Sequence, residues 1–296
     1  MKKRNILVAA LCAGGLMMSA LATPSIMATG SHNSSHANDT ATHQNNAGEV
    51  KVSTVEVKSD KTETKAEVKL AAKIDMQNAS KEAKAMEGSV KKPVAQVKFA
   101  LKDVQQAIKD AVMAAANADT DEAKENVAVE LKVTTEKVKD ENGNEVEAAV
   151  VFDVDSDIVD AILENEEIKT VRFAAESGKV EINRDELKAL HENFADGFKV
   201  AFADLDDENK DEKEFLFKLF DAEGEEAESF VKDDSKEEKI DVSVVIPWTV
   251  ENADEANFEA KVGEEKAEVK YDEEKEELTV VIDKPGEINV VRAEDK

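Results

Sequence analysis

The sequence contains almost no cysteine. Its single cysteine, Cys12, lies inside an apolar run near the N-terminus. A chain with one cysteine cannot form an intramolecular disulfide bond, and removal of the N-terminal run would also remove the only thiol. We therefore expect core packing alone to hold the fold together, without thiolate chemistry.

Aromatic residues that stack on sugars are also scarce. The chain has one Trp and one Tyr beside 11 Phe, and most Phe fall at inward positions of predicted strands. Trp248 follows Pro247 at the end of a predicted strand, and it is the one ring whose placement suggests a ligand contact. The alternative is that Trp248 closes the core at the strand end.

Positive charge is in short supply. Lys and Arg number 39 against 67 Asp and Glu, which gives a formal net charge of −28. Nucleic acid and anionic lipid surfaces repel a polyanion of this size. We therefore predict no nucleic-acid partner, while cations, basic proteins or solubility alone remain as reasons for the acidity.

The N-terminus carries the pattern of a secretory signal peptide. Three basic residues at positions 2–4 precede an apolar run from 6 to 22, and Ala20-Leu21-Ala22 and Ile26-Met27-Ala28 are two candidate cleavage sites. We predict a signal peptide over residues 1–28 and a secreted or extracellular protein with no membrane span after cleavage. The alternative is an uncleaved N-terminal anchor.

Residues 29–92 form a predicted linker, disordered or weakly structured. Residues 29–49 hold too few large apolar side chains to offset the entropy of an ordered chain. Alternating apolar residues over 52–57 and 66–70 suggest two short strands within this lead-in.

Residues 93–208 are predicted as a β-rich domain with short helices. Apolar residues between 101 and 112 recur at helical spacing, and alternation over 126–135 predicts a strand. Asn142-Gly143 suits a tight hairpin. A strand, a short helix and a strand then follow one another, and this unit recurs after about 28 residues, which is typical of a scaffold.

Residues 209–296 are predicted as an antiparallel β module. Short runs of alternating apolar residues are separated by polar turns, which is typical of a sandwich. The clearest run extends from Ile240 to Ile246. The predicted fold class is therefore α+β, with a β-rich repeat region followed by an antiparallel, sandwich-like module.

Clustered aspartates are the candidates for a metal site. Asp153, Asp155 and Asp157 imitate the start of a calcium loop, but Ile158 stands where such a loop needs glycine. Strand positions for the first two and a helix cap for Asp157, or for its neighbour Ser156, are the structural alternative. A second group contains Asp204 and Asp206, and we predict no specific metal site at either group.

Motifs for nucleophilic or metal-assisted catalysis are also missing. The chain has no nucleophile elbow, no zinc-protease motif and no phosphate-binding loop. His191 is the one histidine beyond the linker, and a position at the edge of a helix is its expected role. We predict no enzyme and no cofactor. With 67 acidic residues, an acidic-residue hydrolase remains an alternative.

Two segments resemble a known type of protein. The run Gly178-Lys-Val-Glu-Ile-Asn-Arg-Asp-Glu-Leu-Lys-Ala-Leu190 resembles the strand and Ala-Leu helix repeat of cell-surface and S-layer-associated proteins of Gram-positive bacteria. Ile240–Trp248 and Leu278–Ile282 resemble the closing β-module of the same proteins. The resemblance implies an extracellular structural module, with a cell-wall polymer or another surface protein as its partner and no catalytic residues.

Together these patterns predict a non-catalytic structural or adhesion module, secreted or at the surface of a bacterial cell. An extracellular binding protein for a polysaccharide or a basic protein is the alternative.

Overall fold

The computed structural model describes seven stretches of the chain: 48–74, 80–90, 92–139, 145–205, 211–232, 239–250 and 257–293. All of them belong to one compact unit. The predicted signal peptide and the first part of the predicted linker lie outside the described residues, as does Asn142-Gly143.

The described residues form seventeen strands and five helices. The strands are β1 (Gly48–Ser59), β2 (Thr64–Lys73), β3 (Val94–Lys98), β4 (Val127–Thr135), β5 (Val138–Lys139), β6 (Glu145–Val146), β7 (Ala149–Asp155), β8 (Ile168–Ala175), β9 (Gly178–Asn183), β10 (Gly197–Asp204), β11 (Glu212–Asp221), β12 (Glu226–Ala227), β13 (Val242–Pro247), β14 (Asn257–Val262), β15 (Glu265–Asp272), β16 (Glu277–Ile282) and β17 (Gly286–Ala293). The helices are α1 (Lys81–Val90), α2 (Leu101–Ala116), α3 (Asp121–Glu125), α4 (Ser156–Leu163) and α5 (Arg184–Asn193).

Fifteen of the strands form one continuous sheet that divides into two halves. The first half, here the first sheet, has the order β1-β2-β4-β8-β9-β13-β16-β15. The second sheet continues as β14-β17-β11-β10-β7-β3, with β12 beside β11. β15 joins them, because its start pairs with β14 and its end pairs with β16. The pairs β2–β4, β4–β8 and β3–β7 are parallel.

The two sheets pack against each other through their inner faces. Alternate residues of each strand point inward, as a period of two requires, and form one apolar cluster that extends from Ala66 to Val290. Phe152 of the second sheet contacts Phe173 of the first, with ring centroids 5.5 Å apart. Helices α2, α4 and α5 contribute to the same core.

Helix α1 covers the outer face of the second sheet. Its Met86 and Val90 pack with Ala149, Ala201 and Phe220 in a separate apolar cluster. Strands β7, β10 and β11 are therefore buried on both faces in their central parts, which explains why their sequences are apolar at successive positions.

The predicted repeat corresponds to β7–α4–β8 and β9–α5–β10. The first unit passes from the second sheet to the first, and the second unit passes back. Asn183 caps α5, since its Oδ1 accepts a hydrogen bond from the Glu186 N–H at 3.0 Å. Asp155 is the N-cap of α4, in place of the predicted Ser156 or Asp157.

Strand pairing connects the two predicted domains on either side of the boundary near residue 208. β11 pairs with β10 on one side and with β17 on the other, so both predicted domains share the second sheet. The end of the predicted linker also differs from a weakly structured segment. β2 lies between β1 and β4, and its Ala66 and Val68 are fully buried. The predicted α+β class, rich in β-structure, is confirmed.

Candidate functional site

The outer face of the first sheet is polar and bears no helix among the described residues. Its charged strand side chains, here called the charged face, follow from the pairing registers, leaving aside Lys169 at the bulge of β8. Among the strand residues whose side chains the structure describes, seven are basic and seven are acidic: Lys58, Lys65, Lys69, Lys132, Arg172, Lys179 and Lys270 against Glu56, Glu67, Glu130, Glu181, Glu268, Asp272 and Glu277.

Glu67 is the centre of one ion-pair network on this face. Its carboxylate lies 3.0 Å from Lys65 Nζ, 3.2 Å from Lys69 Nζ and 3.3 Å from Lys58 Nζ, and its side chain is only 4% exposed. Burial raises the pKa of Glu67, but the hydrogen bonds and charges of these lysines outweigh it and lower the pKa to about 2. Glu67 therefore stays ionised throughout the neutral and mildly acidic range.

Arg172 is the centre of a second network on β8. Its guanidinium donates two hydrogen bonds of 2.7 Å to the two carboxylate oxygens of Glu63 and one of 2.8 Å to Glu181. Burial lowers the pKa of Arg172, but these carboxylates raise it by more. Nearby, Lys179 Nζ lies 3.0 Å from Glu277. A planar, bidentate pair of this kind fixes geometry as well as charge.

A hydrogen-bonded turn positions Glu63 beside Arg172. In the loop between β1 and β2, Asp60 Oδ1 accepts hydrogen bonds from the backbone N–H groups of Thr62 (2.7 Å) and Glu63 (2.8 Å). These bonds lower the pKa of Asp60.

Taken together, the described side chains of the charged face are balanced in charge and largely paired with one another, whereas the chain as a whole carries −28.

The aspartate candidates lie close in sequence but have separate partners. Asp153 and Asp155 lie on β7 as predicted, and Asp155 accepts a hydrogen bond of 2.6 Å from Lys98. Burial raises the pKa of Asp153. Asp157 is exposed in the first turn of α4, and Asp204 accepts a hydrogen bond of 2.5 Å from Lys213.

Asp206 lies outside the described residues. Within the described stretches, no three His, Cys, Asp or Glu side chains come together as metal ligands.

Trp248 lies at the end of β13 and is 8% exposed. Its ring meets Phe258 edge-on at 5.5 Å, and its carbonyl accepts a hydrogen bond of 3.0 Å from the Tyr271 hydroxyl. Little of the ring is left to stack on a sugar, so this geometry favours the core-closing alternative for Trp248.

His191 lies on α5 and pairs with α4. Its Nε2 is 3.0 Å from Asp160 Oδ1, and its Nδ1 is buried without a partner in the structure. The side chain is 20% exposed, which agrees with the expected position at a helix edge.

A buried ion pair beneath α1 was not predicted from the sequence. Lys199 Nζ on β10 donates hydrogen bonds to Glu82 Oε1 at 2.6 Å and to the Ala222 carbonyl at 2.8 Å. Glu82 is 4% exposed and Lys199 is 7% exposed. Burial raises the pKa of Glu82, but Lys199 and Ser80 lower it by more. Lys199 interrupts the apolar run of β10, and that interruption is the signal that could have revealed the pair.

Two grooves have shapes that could receive a partner. One, of about 320 Å³, lies between α2 and α4 and contains Ile108, Val112 and Met113, which is 57% exposed. The other, of about 280 Å³, lies beside Phe194. Lys232 Nζ lies 4.5 Å from the centroid of the Phe194 ring.

Acidic side chains line the groove beside Phe194: Asp221, Glu225, Glu226 and Glu228. Glu225 pairs with Lys81, and Glu226 Oε2 accepts a hydrogen bond of 2.9 Å from Lys218. Such a groove can hold a cation beside an aromatic ring.

In the described part of the chain, no helix is both long and apolar enough to cross a membrane. Comparisons with protein-family models, with curated proteins and with solved structures found no match for this chain.

Proposed function

We propose that this chain is a non-catalytic structural or adhesion module, exported through its N-terminal 28 residues and located at or near the surface of a bacterial cell. Its proposed partner is a cell-wall polymer or another surface protein. The signal-peptide pattern and the strand and helix repeat of the sequence support this proposal.

The self-paired charged face is the observation that carries the proposal. Ion pairs link β1 to β2, β2 to β4 and β8 to β9 across the outer face. Cross-strand pairs of opposite charge stabilise the register of neighbouring strands. A balanced and ordered face of this kind suits an extended contact surface better than a concave reaction site.

Cell fractionation tests the proposal. Native cells are separated into cytosol, membrane, wall and medium, and the N-terminal residue of the chain is determined in each fraction. The proposal predicts a chain in the wall or the medium that begins after residue 22 or residue 28. A cytosolic chain that retains residues 1–28 would contradict it.

Binding of a basic protein is a second candidate function, supported by the groove beside Phe194. Lys232 already places an ammonium group over the ring, in a groove that acidic side chains line. A lysine of a partner could take the same position if Lys232 moved away.

Calorimetric titration with oligolysine tests this candidate. Lys232→Ala is expected to strengthen binding several-fold, because it leaves the face of the Phe194 ring free for a lysine of the ligand. Lys109→Ala, an equal change of charge on α2, is the matched control. Equal binding by the two variants would mean that overall charge alone attracts oligolysine.

The remaining alternatives have less support. A polysaccharide site at Trp248 needs an exposed ring, and Trp248 as a whole is 8% exposed. A hydrolase needs two carboxylates that face one cleft, and two of the four acidic side chains in the groove beside Phe194, Glu225 and Glu226, are engaged in ion pairs.

A further inference from the structure

Strand β1 ends the first sheet and has a free edge. It pairs with β2 on one side, and no described strand pairs with its other side. Residues 54–59 of this strand contain no proline and no bulge. Val57 is 37% exposed. A regular edge strand of this kind presents unpaired backbone groups that can template another strand.

Backbone geometry tells which residues face the free edge. The Asp60 N–H donates to the Glu63 carbonyl across the hairpin at 3.0 Å, so the backbone groups of Asp60 face β2. Successive residues of a strand direct these groups to opposite sides. Lys58 and Glu56 therefore face β2, whereas the N–H and C=O groups of Val55, Val57 and Ser59 face the free edge.

These backbone directions leave three symmetric antiparallel registers between two copies of β1 within residues 55–59. A two-fold axis at Glu56 sets two carboxylates opposite each other, and an axis at Lys58 sets two ammonium groups opposite each other. An axis at Val57 sets Glu56 opposite Lys58 of the second copy, twice by symmetry. Like charges directly opposite destabilise a strand pair and opposite charges stabilise it, so charge selects the axis at Val57.

We propose that β1 is a self-association surface, and that a second copy of this chain docks on it in antiparallel fashion about an axis at Val57. Val57 exchanges two hydrogen bonds with its symmetry mate, and Val55 pairs with Ser59 of the second copy. Such an interface is isologous, since the same patch serves on both sides.

The charges at this edge are already part of the network on the charged face. Glu56 accepts a hydrogen bond of 2.6 Å from Lys69, and Lys58 Nζ lies 3.3 Å from Glu67. Docking therefore extends both the first sheet and its charged face across two copies. The inference concerns assembly, and it holds or fails independently of the proposed cellular role.

Charge reversal and sedimentation velocity test the proposal on the full chain. The wild type is expected to form a concentration-dependent dimer. Lys58→Glu or Glu56→Lys alone places like charges opposite each other, and each is expected to raise the dissociation constant about tenfold or more. The double variant E56K/K58E restores opposite charges and is expected to dimerise like the wild type.

A mixture of the two single variants gives the sharpest result. At positions 56 and 58, the Lys58→Glu chain carries two carboxylates and the Glu56→Lys chain carries two ammonium groups. Opposite charges therefore face each other in the mixed pair, so a heterodimer is expected where each variant alone is monomeric. Lys270→Glu reverses a charge on β15, far along the charged face, and is expected to leave the dimer unchanged.

A second type of variant acts on the backbone. Val57→Pro removes an N–H group that faces the free edge and leaves the hydrogen bonds to β2 in place. It is expected to remain folded by circular dichroism and to be monomeric. The proposal is overturned by a monomeric wild type, by single charge variants that dimerise normally, by a mixture that does not form heterodimers, or by a folded V57P variant that still dimerises.

Discussion

Two acidic side chains, Glu67 and Glu82, are each buried beside lysines, and they differ in surroundings. Glu67 lies on the charged face among three lysines, whereas Glu82 is a buried residue of α1 with Lys199 as its ion-pair partner. Burial opposes ionisation of both, and the neighbouring cations overcome that opposition. The contribution of Glu67 to stability should therefore depend on pH, and that of Glu82 should depend on the presence of Lys199.

Replacement of Glu67 by glutamine should remove a stabilisation that depends on pH. The folded-state pKa is lowered from 4.5 to about 2, so the stabilisation is present above pH 4.5 and is lost as the pH falls towards 2. Glu67→Gln is expected to cost about 1–2 kcal/mol at pH 7. Urea denaturation measures this cost, and the difference from the wild type should shrink between pH 4.5 and 2.

The matched control for this prediction is Glu225→Gln. Glu225 pairs with Lys81, but its side chain is 70% exposed, so the cost should stay within about 0.5 kcal/mol. Equal costs for the two variants at pH 7 would contradict the role given to Glu67.

Removal of Lys199 alone should destabilise the fold more than removal of both charges of the buried pair. Lys199→Met leaves the Glu82 carboxylate buried without its counter-charge, at a cost of about 3 kcal/mol. In that background Glu82→Gln is expected to restore part of the stability, with a coupling of about 1 kcal/mol or more. A double-mutant cycle by urea denaturation measures the coupling. Additive costs would show that the two side chains do not interact.

At the scale of elements, the turn after β11 holds α1 in place. Gly224 adopts φ +82°, and a Cβ added there would overlap Glu82 Oε1. The absence of a side chain at Gly224 therefore gives Glu82 the space it occupies when it pairs with Lys199. This turn position therefore leaves room for one of the contacts between α1 and the second sheet.

Gly224→Ala should destabilise the protein more than Gly263→Ala. Both glycines have positive φ, but a Cβ at Gly263 (φ +58°) meets nothing within 4 Å. Gly263→Ala should cost about 1 kcal/mol for the backbone alone. Gly224→Ala should cost at least about 1 kcal/mol more, because Glu82 must move. Urea denaturation midpoints measure both costs, and equal losses would contradict this account of the turn.

Many individual strands and helices could be predicted from the sequence, but few of the strand pairings could. Alternation identified strands such as β13 and β16 because one face of each is apolar and a period of two is visible locally. The parallel neighbours of β4 could not be predicted, since β2 and β8 are far away in the chain. β2 itself was only suggested, because the alternate positions on its outer face are lysine and glutamate. Such residues indicate solvent unless their cross-strand partners are known, and the structure buries Glu67 among those partners.

At the scale of the whole molecule, the distribution of charge is uneven. The charged face is balanced, whereas the chain carries −28, so the acidic excess lies elsewhere. A net charge of this size favours solubility and repels other copies in most orientations. Association through the edge of β1 brings together a balanced region, where repulsion is weakest, and this agrees with the proposed dimer.

The central structural claim is that the described residues form one packed core across the predicted domain boundary. The apolar cluster extends from Ala66 on β2 to Val290 on β17, and β11 pairs with strands from both sides of that boundary. A shared core of this kind unfolds cooperatively. Differential scanning calorimetry is the most direct test. One transition whose calorimetric and van't Hoff enthalpies agree is the predicted result, and two resolved transitions would contradict it.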